Sequence, residues 1–312
     1  MGTIEEVLTI DLPVGESFRI QRCRYEPIEG KPTKRISVVS GIHGDELEGQ
    51  YVCFLLGQWL REHPEAIKGT IEIYPAINSL GIDSITRSVP FYDVDLNRTF
   101  PGSKNDFLPA QIADGVVNVM KGSDFAIDIH SSNVFLREIP QVRIAKSQED
   151  ILVPLANLLN IDFVWVHDAV TVLESTFAHA MNTIGTKTLV VEMGVGMRLG
   201  KAYGHQLLDG LLNLMAHEGI LDIEPLNVRF PIQSKVGEVA YLNAACPGLF
   251  VPVIDHCQII EKGSVVGHIV SALSGEVLNE VIAPIAGILF TLRAYPIVYE
   301  GSLVGRIFGE KQ

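Results

Sequence analysis

The chain has 312 residues, enough for one large α/β domain and a smaller one, and its 47% apolar content suits a well-buried sheet. A net charge of −13 argues against nucleic acid as a partner, because little basic surface is left to neutralise phosphates. No apolar run approaches the roughly 18–20 residues needed to cross a bilayer, so no membrane partner is expected.

The N-terminus has no basic stretch followed by an apolar one, which speaks against a secretory signal. Residues 7–10 and 17–23 read as early strands. A β-branched run at 36–40 ends at Gly41, and a helical pattern begins near residue 46 with Leu47, Tyr51, Phe54 and Leu55 on one face. The turn between them, His43-Gly44-Asp45-Glu46, sets an imidazole and a carboxylate three residues apart above the strand's carboxyl end. Two such groups converging there are two ligands of a zinc site. The same residues also suit an ordinary helix start, with acidic side chains at the positive end of the dipole.

The helix is expected over 46–63, followed by a strand over 70–77 and a loop over 78–109. That loop carries Arg87 and Asn97-Arg98. Loops of that length in compact domains are usually functional or disordered, and the plainer reading of Arg87 is a solvated surface residue. A helix follows over 110–121, then a buried strand over 124–129 that leads into His130. The pattern continues with a helix over 149–159, a strand over 163–167 and a helix over 175–182. A strand over 187–191 leads into Glu192, and a helix over 202–217 closes the region. Strands separated by helices imply an α/β domain, over residues 1–222, with a mostly parallel sheet flanked by helices. Ligands of such open sheets lie outside the carboxyl ends of the strands, where His43, Glu46, His130 and Glu192 all fall.

Residues 223–312 read as an all-β barrel or sandwich module, because helical periodicity gives way to short Val/Ile runs punctuated by Gly and Pro. It contains an internal duplication. Gly263-Ser264-Val265-Val266-Gly267-His268-Ile269-Val270 aligns with Gly301-Ser302-Leu303-Val304-Gly305-Arg306-Ile307-Phe308, and Gly248-Leu249-Phe250 aligns with Gly287-Ile288-Leu289. Ala283-Pro284-Ile285-Ala286-Gly287 looks like part of a biotinyl or lipoyl carrier, but the connection at 271–280 has no lysine to carry a prosthetic group. The module is therefore expected to be structural or pocket-shaping. The four cysteines, Cys23, Cys53, Cys246 and Cys257, form no C-x-x-C pair and suit free thiols in the cytoplasm.

Hydrolytic zinc sites keep three protein ligands and one open position, and His43, Glu46 and His130 supply that inventory for one zinc ion. Glu192, in apolar surroundings, is the natural general base. Asp128 shares a face with His130 and is expected to hydrogen-bond the free nitrogen of His43, or else to pair with a nearby cation. The ligand set would also hold iron(II), against which the H-x-x-E turn and the free Glu192 count. The remaining histidines read as surface or core residues, with His179 still able to reach the pocket; Arg143 is a candidate second anionic clamp, with an exposed side chain as the plainer reading.

Four motifs in order, His43-Gly44-Asp45-Glu46, Asp95-Leu96-Asn97-Arg98, Asp128-Ile129-His130 and Glu192-Met193-Gly194, resemble the succinylglutamate desuccinylase/aspartoacylase family of zinc carboxypeptidase-like hydrolases. The resemblance implies a carboxypeptidase-like mixed sheet followed by the β module. It implies that Arg87 stabilises the oxyanion and that Asn97 and Arg98 grip a substrate carboxylate. Arg87 lies ten residues before Asn97, a longer interval than in aspartoacylase-type members. The expected activity is zinc-dependent hydrolysis of the amide of a small N-acyl amino acid or similar carboxylate. A carboxypeptidase acting on short peptides and a non-catalytic metal- or ligand-binding protein are the alternatives, and assembly as a homo-oligomer is left open.

Overall fold

The computed structural model describes residues 2–167 and 174–310. Its main sheet contains β1 (Thr3–Asp11), β2 (Ser17–Tyr25), β3 (Arg35–Ser40), β4 (Thr70–Tyr74), β5 (Phe125–Ser131), β6 (Leu136–Ala145), β7 (Phe163–His167) and β8 (Lys187–Gly194). The helices are α1 (Glu48–Glu62), α2 (Ser79–Asp83), α3 (Leu108–Met120), α4 (Glu149–Ala156), α5 (Phe177–Thr183) and α6 (Lys201–His217). In space the strands run β1-β2-β4-β3-β5-β8-β6. The central four, β4, β3, β5 and β8, are parallel, as βαβ crossovers require. β2 pairs antiparallel with β4 on one flank and β6 antiparallel with β8 on the other, which makes the sheet mixed.

Alternation along the strands sorts their side chains onto two faces. Ile36 and Val38 of β3, Phe125, Ile127 and Ile129 of β5, and Leu189 and Val191 of β8 are buried against α1, α4 and α6. Val39, Tyr74 and Ala126 belong to the core packed by α3 and α5. Asp128, His130 and Glu192 follow the period of two onto the same face as Ala126, so one face carries the chemistry while the other is mainly apolar, with Ser40 and Ser131 at its carboxyl end.

Two features of this region were not read from the sequence. β6 contains Leu136-Arg137-Glu138-Ile139-Pro140, and its charges and proline hide a strand. Pro140 is tolerated because the register with β8 breaks between Glu138 and Gln141, where a ladder donor is not needed. The stretch at 78–109 is ordered by α2 and by a single 3₁₀ turn, Leu96–Arg98, whose cap Asp95 accepts a hydrogen bond from Asn97 N–H at 2.9 Å.

The duplicated segments fold alike. Gly248–Pro252 pairs with Val265–Val270 in a four-stranded antiparallel sheet, matching Leu249 with Val270 and Phe250 with Ile269. Gly287–Arg293 pairs with Leu303–Glu310 in the main sheet, matching Ile288 with Phe308 and Leu289 with Ile307. These are equivalent registers, one in each layer, and Phe250, Ile269, Leu289 and Ile307 share one buried core between them. The second copy also joins β6, with Thr291 opposite Glu138, so the main sheet continues into the C-terminal part without a break.

At that junction Phe163 of β7 lies 5.0 Å, centroid to centroid, from both Phe290 and Phe308. Phe290→Ala removes a ring that is 0% exposed and should cost about 3–5 kcal/mol. Thermal unfolding of that variant, followed by far-ultraviolet circular dichroism and aromatic fluorescence, should show one transition lowered in Tm. Separate early melting of the C-terminal strands would contradict a continuous sheet.

Candidate metal centre

The turn after β3 is built around close backbone approaches. Gly41 has φ of +71°, and a Cβ on Gly44 would lie 2.0 Å from the carbonyl carbon of Gly81 in α2. This tight turn presents His43 and Glu46 side by side, and both are 3% exposed. His130, at the carboxyl end of β5 and 4% exposed, completes the group.

The three side chains converge through particular atoms. Glu46 Oε1 lies 2.9 Å from His43 Nδ1, and Glu46 Oε2 lies 2.8 Å from His130 Nδ1. The two Nδ1 atoms are 3.2 Å apart. The far nitrogens are held by carboxylates, His43 Nε2 by Asp95 at 2.9 Å and His130 Nε2 by Asp128 at 3.0 Å. A carboxylate has no proton to give, so each Nε2 carries a hydrogen, and each Nδ1 faces Glu46 either protonated or, once that proton is released, with a lone pair free for a metal ion. In the second state two nitrogens and a carboxylate face one point and can share a cation. Nitrogens about 2.0–2.1 Å from one tetrahedral ion stand roughly 3.3 Å apart, close to the separation observed.

Charge leads to the same place. Glu46, Asp95 and Asp128 bring three negative charges, while among the described residues the permanent cation in contact with them is Arg87, 2.7 Å from Glu46 and 3.4 Å from Asp95. Two positive charges are missing, which a dication or two imidazolium protons would supply. Burial disfavours a charged His43, but Glu46 and Asp95 outweigh it and raise its pKa. Burial acts the same way on His130, and there Asp128 and Glu46 raise the pKa well above the usual imidazole value. Burial would raise Glu46, yet the two imidazoles hold it far below the ordinary carboxylate range. Ser131 N–H also donates to Glu46 Oε2 at 3.1 Å.

The group opens into a cavity of about 670 Å³, also lined by Asn97, Arg98, Arg143, His179, Glu192 and Arg306. Glu192 stands beside His130 in register on the neighbouring strand. Burial raises its pKa, with Arg143 pulling the other way. Asn97 is buried and its Oδ1 accepts from Phe177 N–H at 2.8 Å, tying the loop to the start of α5. Arg98 is exposed and donates to Asn97 O at 2.7 Å, with no carboxylate at ion-pair distance among the described residues.

Three expectations from sequence are corrected. Asp128 bonds His130 and not His43, because the two share one strand face two residues apart. His43 is served by Asp95, given no role at first although it opens the Asp95-Leu96-Asn97-Arg98 motif. Arg143 is not a plain surface residue. Its side chain is 30% exposed and contacts Glu192 at 3.4 Å inside the cavity. Arg87, although its side chain is 38% exposed, also reaches a carboxylate of the centre.

Residues 32–218 match the catalytic domain of the succinylglutamate desuccinylase/aspartoacylase family. The chain is 34% identical over 104 residues to an N-alpha-acetyl-L-2,4-diaminobutyric acid deacetylase of Halomonas elongata, and 36% identical over 69 residues to aspartoacylase of Xenopus tropicalis. Those matches take in 33% and 22% of this chain and span 30% and 20% of the relatives' own lengths. The fold is that of a succinylglutamate desuccinylase/aspartoacylase from Rhodobacter sphaeroides, with TM-score 0.83 at 21% identity over 99% of this chain and 96% of that one. An ectoine utilization protein from Ruegeria pomeroyi, in a product-bound structure, superposes with TM-score 0.82 at 20% identity, over 98% and 95% of the two chains.

The carboxylates behind the imidazoles give a direct test. Asp95→Asn and Asp128→Asn should each weaken divalent-metal binding about 10–100-fold in a calorimetric titration, since each loosens a ligand ring. Binding in the unmodified protein should release protons and weaken as pH falls, beginning above the pH where an unperturbed imidazole would start to compete. Unchanged affinity in both variants would contradict the assignment.

Proposed function

The chain belongs to the succinylglutamate desuccinylase/aspartoacylase family, and we propose that it is a zinc-dependent deacylase of small N-acyl amino acids or similar carboxylates. The observation that carries this reading is the convergence of His43 Nδ1, Glu46 and His130 Nδ1 beside Glu192, in one cavity with Arg98. The donor set suits zinc, which when bound lowers the pKa of water toward ~7 and polarises a carbonyl.

The protein's own residues do the rest. Asn97 and Arg98 receive the substrate carboxylate, Arg98 being the cavity guanidinium without a carboxylate partner among the described residues. Glu192 takes a proton from the attacking water and delivers it to the leaving nitrogen, and the pKa raised by burial suits both halves of that task. Arg87 steadies the developing negative charge on the carbonyl oxygen, at the cost of loosening its contact with Glu46. The amide is cleaved to an acid and an amine, the water supplying OH to one and H to the other. Arg306, from the C-terminal strand Leu303–Glu310, lines the cavity, which supports a small substrate over a peptide.

Assay of purified protein, with metal analysis, against N-alpha-acetyl-L-2,4-diaminobutyric acid, N-succinylglutamate and N-acylated aspartates should find one cleaved together with stoichiometric zinc. Glu192→Gln should keep the metal and lose about 10²–10⁴-fold in kcat. Retained turnover would remove Glu192 from the mechanism. Arg98→Lys should raise KM about 10-fold or more with a smaller change in kcat, because a bidentate clamp is lost. An unchanged KM would overturn its assignment.

A further inference from the structure

A row of polar groups crosses three strands and ends at Glu192. Arg306, on the strand Leu303–Glu310, stands opposite Thr291. Thr291 in turn stands opposite Glu138 of β6. Glu138 is 1% exposed and amply supplied with donors. Arg306 contacts its Oε1 at 2.8 Å, Thr291 donates to its Oε2 at 2.8 Å, and Gln141 donates to the same oxygen. Arg143 then reaches Glu138 Oε1 at 3.2 Å with one nitrogen and Glu192 Oε1 at 3.4 Å with another. The Trp165 ring lies 5.7 Å from the Arg143 guanidinium and 5.3 Å from that of Arg306, so both arginines are backed by one apolar plate.

Glu138 carries a single charge, and Arg306 already meets it at the shorter distance. The charge of Arg143 is therefore left for Glu192, for which it is the one arginine or lysine at ion-pair distance among the described residues. In the first copy of the duplication the position of Arg306 is held by His268, which pairs with Glu280 in the other sheet. The second copy has thus placed a guanidinium where it can brace the catalytic cavity.

We propose that Arg143 is a positioning residue for Glu192, and that Glu138, Thr291 and Arg306 hold it in place, so the C-terminal sheet helps to aim the base. This rests on reading Glu192 as the general base. Misplacing a reacting group by about 1 Å can cost on the order of 10²-fold, which sets the scale of the effect.

The test uses the zinc-loaded full chain and the fastest-cleaved compound of the N-acyl amino acid panel. Arg143→Gln should lower kcat about 30–100-fold with KM changed less than about 3-fold, and Arg306→Gln should lower kcat by a smaller factor in the same sense. Arg143→Lys, and guanidinium added to Arg143→Ala, should recover part of the loss, which a merely structural role would not allow. Calorimetric binding of the same compound to Glu192→Gln, with and without Arg143→Gln, should give equal Kd. A rise in KM or Kd without loss of kcat would overturn the proposal by making Arg143 a substrate grip. Full activity of Arg143→Gln while Glu192→Gln is inactive would overturn it and leave the base assignment standing. Full activity of Glu192→Gln would bring down both.

Discussion

One buried carboxylate governs the site. Glu46 is almost wholly removed from water, and an ionised group there is tolerable only when surrounded by partners. It has them on every side: two imidazoles, the Arg87 guanidinium and the Ser131 N–H. The imidazoles are themselves backed by Asp95 and Asp128, which turns a pairing of three residues into a cluster with excess negative charge. Such a cluster is stable only with added positive charge, which a shared dication or two imidazolium protons would supply at the meeting point of the two Nδ1 atoms and Glu46. The same feature that would cost the fold stability is the one that suits an ion.

The sheet explains how residues so far apart in sequence reach one point. His130 and Glu192 sit on adjacent parallel strands in matching register, so their side chains leave the same face at the same height. His43 and Glu46 arrive from the end of β3, on the other side of β5, through a turn that only glycine at position 44 permits. α1 and α6 fill most of the opposite face with aliphatic side chains. The C-terminal duplication adds a second layer of control. Its two copies share one register and one core, yet among the described residues only the copy that continues the main sheet lines the cavity, through Arg306.

Much of this was legible in the sequence because the strands β3, β5 and β8 are apolar runs whose ends carry the reactive residues. Their period of two told which residues share a face, and the H-x-x-E turn told which would meet. The partner of His43 was not legible, since Asp95 comes from a loop whose path depends on α2, the 3₁₀ turn and its own cap, none of which has a strong local pattern. β6 was missed for the opposite reason: its pattern is broken by Pro140 and by charges that are satisfied only across strands distant in sequence. Arg143 looked like a surface residue for the same cause, because the groups that draw it inward, Glu138, Trp165 and Glu192, come together only once the sheet has formed. Cross-strand partners of charged residues are a tertiary property, and local composition carries no trace of them.

The central claim is that one ion is held by two imidazole nitrogens and one glutamate. X-ray absorption at the zinc edge, on protein loaded with one equivalent of zinc, examines it most directly. The account predicts a first shell of nitrogen and oxygen at about 2.0–2.1 Å with the outer-shell pattern of two imidazoles, reduced to one in His130→Ala. Sulfur in that shell, a single imidazole in the unmodified protein, or failure to retain zinc would contradict it.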